Sequence, residues 1–374
     1  MALKGIKVLE FAGLAPGPFC GKILKDLGAR VIRIDRTGAS EDVDRLSHGK
    51  ESIAINLKSP KGIEIIKKLS KNADVLIEPF RKGVMERLGL GPSQIFQENP
   101  RIIYARLTGY GQFGELSKKA GHDINYISYS GVLSTLGRAN EKPYAPINLI
   151  ADFAGGGLMC ALSIVSSLYE RDTKGIKEKV IDLAMVEGAA YLSSWLWTSR
   201  DIPGVWDGEN RGKNLLDGGF APYETYETKD GKYMACGSLE PAFFNNLLKG
   251  VGLSDNEEIT HEKLQSIFKT KTRHEWEEVF RNLDACVSPI LEMNEAPIHP
   301  HNKERKSFIE LKDGSVLPTM NWLNQSSQDQ SYDMPMIGQH TSNVLKDFNF
   351  TNDEISQFLA EKIIADSSQT KSKL

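Results

Sequence analysis

Along the first half of the chain, short runs of apolar and β-branched residues alternate with stretches whose apolar positions recur every three or four. Gly5–Phe11, Ala29–Ile34, Ser52–Leu57, Asp74–Phe80 and Arg101–Thr108 predict strands. Between them, Pro18–Leu27 and Lys61–Leu69 carry helical spacing, and Val84–Leu88 predicts a shorter helix. A βαβα order of this kind builds a parallel sheet covered by helices on both faces. Val180–Ala184 predicts another strand, running into an apolar helix over Met185–Trp197.

The stretch Ile147–Tyr169 holds one charged residue, Asp152. Leu158, Leu162, Val165 and Tyr169 recur at helical spacing and predict the buried face of a helix. Asp152 at its mouth reads either as a helix cap or as a carboxyl whose burial raises its pKa toward neutral, which suits proton transfer. Gly155-Gly156-Gly157 follows, and each glycine weakens a helix by about 1 kcal/mol relative to alanine. Close approach of a ligand or another backbone would explain the triplet.

The pattern changes after residue 200. Gly204–Gly219 is a polar connector; Tyr223–Glu227 and Lys232–Cys236 flank Lys229-Asp230-Gly231, a hairpin signal. Helices are expected at Pro241–Leu248 and His274–Asn282, so residues 220–320 read as a smaller α+β domain after a large domain over residues 1–200. Asp353–Ile364 predicts a last helix before a polar tail.

Two domains suit a chain of 374 residues, and 40% hydrophobic with 25% charged is ordinary for a globular protein. The net charge of −3 is unevenly placed: residues 1–120 hold 21 Lys and Arg against 13 Asp and Glu. The basic first third suggests an anionic ligand, against the alternative of a solvated charged surface, while the acidic remainder argues against nucleic acid. Cys20, Cys160, Cys236 and Cys286 are scattered without metal spacing and suit packing roles in a reducing compartment; His299-Pro300-His301 reads as a loop. Lys4, Lys7 and Glu10 interrupt any leader, and the Asp152 helix, rich in Gly and Ser, is shorter than the ~20 apolar residues of a membrane span. The final Ser372-Lys373-Leu374 is the tripeptide read by the peroxisomal import receptor.

Three places could carry chemistry. The opening βαβ unit has Asp35 where a dinucleotide fold keeps its ribose-binding acid, but Gly13-Leu14-Ala15-Pro16-Gly17-Pro18 is not GxGxxG, which argues against a nicotinamide cofactor. Arg36 suits an added ribose phosphate, such as the 3′-phosphate of coenzyme A. In Gly121-His122-Asp123, Asp123 would cap a helix starting near Ile124, leaving His122 beside free N–H groups as a general base or as a structural residue. Glu240 precedes Pro241 at a helix start, where the dipole favours the ionised carboxylate.

The runs GLAPGPFC, GHDINY, NLIADFAGGGLMCAL, DACV-P and HNKER resemble the α-methylacyl-CoA racemases, a branch of the family III CoA-transferase superfamily, and the resemblance spans nearly the whole chain. It implies that His122 and Asp152 are the acid/base pair acting on the α-carbon of a 2-methylacyl-CoA thioester, with Glu240 supporting His122. It implies oxyanion or substrate contacts at Gly121, Asp123, Ile124, Asn125 and Tyr126. Coenzyme A would lie on Arg36, with Lys58, Arg81 and Arg87 as further partners and the backbone at Ile55, Asn56, Leu57 and Lys58 near the adenine.

The thioester is the substrate, and no metal or redox cofactor is called for. The implied fold is an α/β, Rossmann-like large domain completed by about residues 325–374, plus a small α+β domain, in an interlocked homodimer with shared active sites. The implied place is the peroxisome, in branched-chain fatty acid and bile-acid intermediate degradation, with room for a mitochondrial pool. Gly175-Ile176-Lys177-Glu178-Lys179 departs from the superfamily's usual Gly-Gln pair without touching these residues. The competing readings are CoA transfer with Asp152 as nucleophile and a non-catalytic acyl-CoA-binding protein. Transferases typically carry a glycine-rich loop where this chain has Cys236-Gly237-Ser238-Leu239-Glu240.

Overall fold

Each β-branched run of the first half forms a strand in the computed structural model, which describes residues 1–39, 42–206, 211–323 and 332–368. The chain divides into two units: Met1–Val132, Pro146–Ser193 and the described part of Asn324–Leu374 make the first; Leu133–Ala145 and Ser194–Leu323 make the second. Leu133–Ala145 thus falls outside the large domain to which the sequence pattern assigned it. The terminal Ser372-Lys373-Leu374 lies outside the described residues.

In the first unit, β1 (Lys7–Phe11), β2 (Arg30–Arg36), β3 (Glu51–Ile55), β4 (Val75–Glu78), β5 (Ile103–Thr108) and β6 (Val180–Ala184) pair in parallel in the order β3-β2-β1-β4-β5-β6. This is the doubly wound order, in which ligands bind beyond the carboxyl ends of the strands near the reversal point, here between β1 and β4. A two-residue strand from the C-terminal segment, Ile364–Ala365, closes the outer edge of β3 in the antiparallel sense.

Alternation along the strands divides the two faces. One face carries Leu9, Phe11, Ile32, Ile34, Ile53, Ile55, Leu76 and Tyr104. These pack on Ile65, Ile66 and Leu69 and on Val344, Leu345, Phe348 and Ile355 of the C-terminal helices Thr341–Asp347 and Asn352–Ala360. The opposite face of β1–β3 presents Glu10, Arg33, Asp35 and Ser52, all buried. Lys50 binds Glu10 at 2.8 Å, and Gly21 of α1 (Pro16–Asp26) lies where a Cβ would overlap the Glu10 carboxylate, so glycine lets the helix cross there. Arg33 contacts Asp35 at 2.9 Å and Asp42 at 2.6 Å. Much positive charge of the first third is therefore paired internally.

Further helices of this unit are α2 (Pro60–Ser70), α3 (Val84–Arg87), α4 (Pro92–Glu98), α5 (Asp123–Tyr129), α6 (Met159–Lys174) and α7 (Met185–Leu192). The helix expected over Met185–Trp197 is broken after Leu192, with α8 (Ser194–Thr198) in the second unit. The helix expected over Asp353–Ile364 stops at Ala360, which frees Ile364 for the sheet.

One expectation inverts. The buried face of α6 is Cys160, Ala161, Ile164, Ser167, Leu168 and Arg171, while Leu158, Leu162 and Tyr169 point outward with 45%, 55% and 67% exposure. The helix has apolar residues on two sides, and the side carrying Cys160, Ala161, Ile164 and Leu168 is the one that fits against the sheet. Counted with the preceding Leu149–Leu158, the helical run reaches Lys174, long and apolar enough to cross a membrane by length and composition. Its glycines pack on neighbouring helices and its buried face lies on β5 and β6, which is the environment of a core helix.

In the second unit, β7 (Tyr223–Glu227), β8 (Tyr233–Gly237) and β9 (Val287–Pro289) form an antiparallel sheet in that order. Helices α9 (Pro241–Val251), α10 (His261–Phe268) and α11 (Arg273–Phe280) pack on it. Its core is aromatic: Phe268 stacks on Tyr226 at 5.2 Å and meets Trp276 at 5.0 Å, whose indole N–H donates to the Phe268 carbonyl. The His299-Pro300-His301 run expected as a loop instead opens the short helix Pro300–Glu304: His299 is its N-cap, and Pro300 takes the first helical position, where a missing N–H costs nothing.

Candidate active site

His122, not Asp123, occupies the N-cap of α5 in extended backbone (φ −132°, ψ 176°). Its N–H donates to Asn125 Oδ1 at 3.0 Å, while its carbonyl accepts from the N–H groups of Asn125 and Tyr126 at 2.8 and 3.2 Å. Tyr126 donates its hydroxyl to the Gly121 carbonyl at 2.5 Å. These bonds hold the turn and leave the His122 side chain exposed at the helix N-terminus. They also use the Asn125 and Tyr126 N–H groups. The N–H groups of Asp123 and Ile124 have no protein acceptor among the described residues, so these two are the donors open to an oxyanion.

Asp152 lies in Leu149–Leu158, ten residues coiled in wide π turns that pass directly into α6. Wide turns of this kind are rare and concentrate at functional sites. Gly155 explains its own presence: a Cβ there would stand 2.6 Å from the Ala189 nitrogen of α7. Gly156 meets Met185 of α7, and Gly157 meets Phe19 and the Pro16 carbonyl of α1. The glycine triplet therefore serves close backbone approach, with helices rather than ligand as the neighbours described.

The Asp152 carboxyl is half-buried and its pKa is raised, foremost by burial; the Asn148 side-chain N–H, 3.2 Å from Oδ2, pulls it back, the Asp123 carboxylate raises it, and His122 lowers it. His122 and Asp152 are thus close enough to influence one another. Asp123, 2% exposed, directs Oδ2 at the N–H groups of Ala151 and Asp152, at 2.7 and 2.8 Å. Sequence reasoning placed Asp123 as the cap of its own helix; it caps the next one instead. Asn148 was also missed, although its spacing of four before Asp152 is a local signal. Tyr126, pushed up to about 12 chiefly by burial and then by Asp152, and the edge-packed rings of Tyr110 and Tyr129 complete this wall.

Glu240 belongs to the second unit, where it N-caps α9 ahead of Pro241 and is exposed. Its near neighbour is Cys286, whose thiol is raised by burial, then by Asp284 and Glu240.

The proposed coenzyme A residues cluster at the carboxyl edge of the sheet. Arg36 ends β2 in register with Ile55 of β3, and its side chain is exposed. Ile55 itself is buried in the core, and Asn56 Oδ1 accepts from the Lys58 N–H in the turn into α2, with Leu57 half-buried and Lys58 exposed. Arg81 and Arg87 are exposed beyond β4. Their segment is held by Arg106, which grips Glu78 and Glu86, both at 2.7 Å. Asp35, the would-be ribose acid, is buried and taken by Arg33 and Ser52, which excludes it from a nucleotide. Among the described residues no group of three or more His, Cys, Asp or Glu could hold a metal ion.

Residues 3–341 match CoA-transferase family III. The chain is 49% identical over 386 aligned positions to the α-methylacyl-CoA racemase of Homo sapiens, covering all of both chains. It is 47% identical to the racemase of that name from Mus musculus, covering 97% of this chain and 98% of the other. A CaiB/BaiF family protein from Brucella suis has the same fold, with a TM-score of 0.75 at 23% identity over 92% of this chain and 99% of that one. The family match over residues 3–341 and the full-length identity agree, and the chain belongs to CoA-transferase family III.

Proposed function

We propose that this protein interconverts the two configurations of 2-methylacyl-CoA thioesters by moving the α-proton. The observation that carries the reading is the pairing of His122, exposed at a helix start, with a half-buried Asp152 whose pKa is raised. A thioester stabilises the enolate at its carbonyl, so its α-hydrogen is acidic enough for side-chain bases. One group removes the proton from one face while the other, carrying its own proton, delivers to the opposite face. The enolate oxygen is received by the free N–H groups of Asp123 and Ile124. Glu240 supports His122 in proton transfer. Full-length identity near 49% to a protein named for this reaction supports the assignment.

Coenzyme A binds along the carboxyl edge, with Arg36 on the 3′-phosphate and Lys58, Arg81 and Arg87 nearby. The working form is a homodimer. Support comes from exposed apolar side chains on one unit, Leu158, Leu162 and Tyr169 with Tyr191 and Leu192, and on the other, Trp195 and Trp197. The enzyme works in peroxisomes, addressed by Ser372-Lys373-Leu374, where it serves branched-chain fatty acid and bile-acid intermediate degradation; a second pool in mitochondria is compatible with this reading.

The test is to incubate one enantiomer of a 2-methylacyl-CoA with the enzyme in deuterium oxide. Formation of the other enantiomer carrying one α-deuterium is expected. Transfer of CoA to a free acid without inversion would overturn the reading in favour of CoA transfer through an Asp152 anhydride.

A further inference from the structure

The buried carboxylate of Asp123 belongs to the α5 turn that begins with His122, yet its hydrogen bonds run to another element. Oδ2 accepts from both Ala151 and Asp152, twenty-eight and twenty-nine residues on in the chain. The π segment has no side-chain cap of its own at Asn148, so its first N–H groups depend on a distant acceptor. The α5 side of the joint is stiff, because the Asn125 side chain and the Tyr126 hydroxyl lock the backbone around His122. The Asp152 side is stiff behind the joint, because Gly155 is seated against Gly188 and Ala189, and Gly157 against Phe19. Between these two rigid pieces stands one carboxylate. Among the described residues its buried Oδ1 meets no hydrogen-bond donor, so the bonds that tie the two pieces together run through Oδ2.

We propose that Asp123 is a positioning residue that couples the two proton-transfer groups, holding the turn of Asp152 against the turn of His122 at the separation one α-carbon requires. The proposal rests on the racemase reading of His122 and Asp152. A racemase needs both groups on one carbon from opposite faces, and small displacements of a reacting group lower rates steeply. A proton exchange with retention needs only one of them. Loss of the joint therefore separates two activities that the intact enzyme couples.

Asp123 also sets the charge environment of the pair. The groups acting on Asp152 are Asp123 and His122 from α5 and the Asn148 amide on its own element. The helices packed against the segment turn uncharged residues to it, Phe19 from α1 and Met185, Gly188 and Ala189 from α7. Arg81 and Tyr110 act on the adjoining Tyr126. Removing the Asp123 charge thus lowers the pKa of Asp152.

The test uses the full-length enzyme and its Asp123→Asn and Asp123→Ala variants with a single enantiomer of a 2-methylacyl-CoA in deuterium oxide. Inversion and α-hydrogen exchange are followed separately. Inversion is expected to fall at least tenfold more than exchange, with KM within twofold of wild type and the acid limb of the Asp123→Asn pH profile moved to lower pH. Parallel loss of inversion and exchange, an unchanged ratio, or an unmoved acid limb would overturn the proposal. Amide hydrogen exchange on the wild-type protein supplies a readout free of any folding defect. Protection of the Ala151 and Asp152 N–H groups is expected, and exchange at the rate of open amides would refute the joint. Wild-type enzyme that neither exchanges nor inverts would instead overturn the racemase reading itself.

Discussion

Both proton-transfer candidates stand at places where the backbone enters a helix, so each is held by N–H and C=O groups rather than by long side chains. His122→Ala and Asp152→Asn should each lower racemisation by roughly 10²–10⁴-fold, the usual contribution of a positioned acid or base. Chiral separation of products reads the loss, and unchanged thermal unfolding excludes a folding defect. The pair works with one proton between its members, and the equilibrium between enantiomers does not vary with pH. Both directions must therefore share one bell-shaped kcat/KM profile. Its acid limb, where the last ionised member takes up a proton, should lie above the ordinary aspartate range because the Asp152 pKa is raised. An acid limb within the ordinary aspartate range would contradict the assignment of Asp152 as the group that takes up that proton. Arg36→Ala should weaken acyl-CoA binding by about 1–3 kcal/mol, the scale of a charge-assisted hydrogen bond, and dephospho-CoA thioesters much less. Equal losses would remove Arg36 from the 3′-phosphate. His122, Asp152 and Glu240 were visible because each sits at a helix start marked by local residue types. The reach of Asp123 to Ala151 was not, since nothing in the periodicity of either segment records a bond across twenty-eight positions.

The helical elements show which packing signals a sequence carries and which it leaves ambiguous. The predicted strands of the first half recur within two or three residues at either end, because a run of β-branched residues has few other uses. The side of α6 that faces the sheet could not be read, because apolar residues lie on two sides and only the partner's shape selects one. Ahead of α6, where the Leu149–Leu158 segment meets α7, the approach is closest and Gly155 stands at the contact. Gly155→Ala should destabilise the protein by about 1–3 kcal/mol, the range for overpacking, since the new methyl has only the backbone of α7 to push against. Denaturant unfolding measures this, and a neutral variant would show that α7 can retreat. On the outward side, Leu162→Glu should leave the subunit folded while converting dimer to monomer in sedimentation velocity. A dimer persisting unchanged would place the partner elsewhere.

For the molecule as a whole, stability carries a pH signature set by charges inside the sheet. Glu10 and Glu78 are pushed up to about 7, foremost by burial, against 4.5 when free. The folded state then binds their protons more tightly than the unfolded chain does. Their contribution is complete below the free value and is lost as pH rises through the folded one. Unfolding free energy should accordingly fall between about pH 5 and pH 8, and Glu10→Gln should flatten that slope. A slope unaltered by the variant would assign the pH dependence to other groups. Cellular place is a property of the full chain as well: removal of Leu374 should abolish peroxisomal import and leave the purified enzyme's activity unchanged, as followed by fluorescence of a tagged protein and by the exchange assay.

The strand Ile364–Ala365 is only two residues long, yet together with His340 and Thr341, which bind the Ser52 and Ala54 N–H groups, it seals the β3 edge. Synthesis runs from the N-terminus, so the six parallel strands emerge well before their closing piece, with Ser194–Leu323 of the second unit translated in between. During that interval β3 offers unpaired N–H and C=O groups to any extended chain nearby, the situation from which edge-to-edge aggregation starts. A message truncated shortly before codon 340 would encode every residue assigned to chemistry and still yield a chain with an open border. Late nonsense or frameshift alleles should therefore show themselves as missing protein and chaperone burden, while the few molecules that survive remain chemically competent.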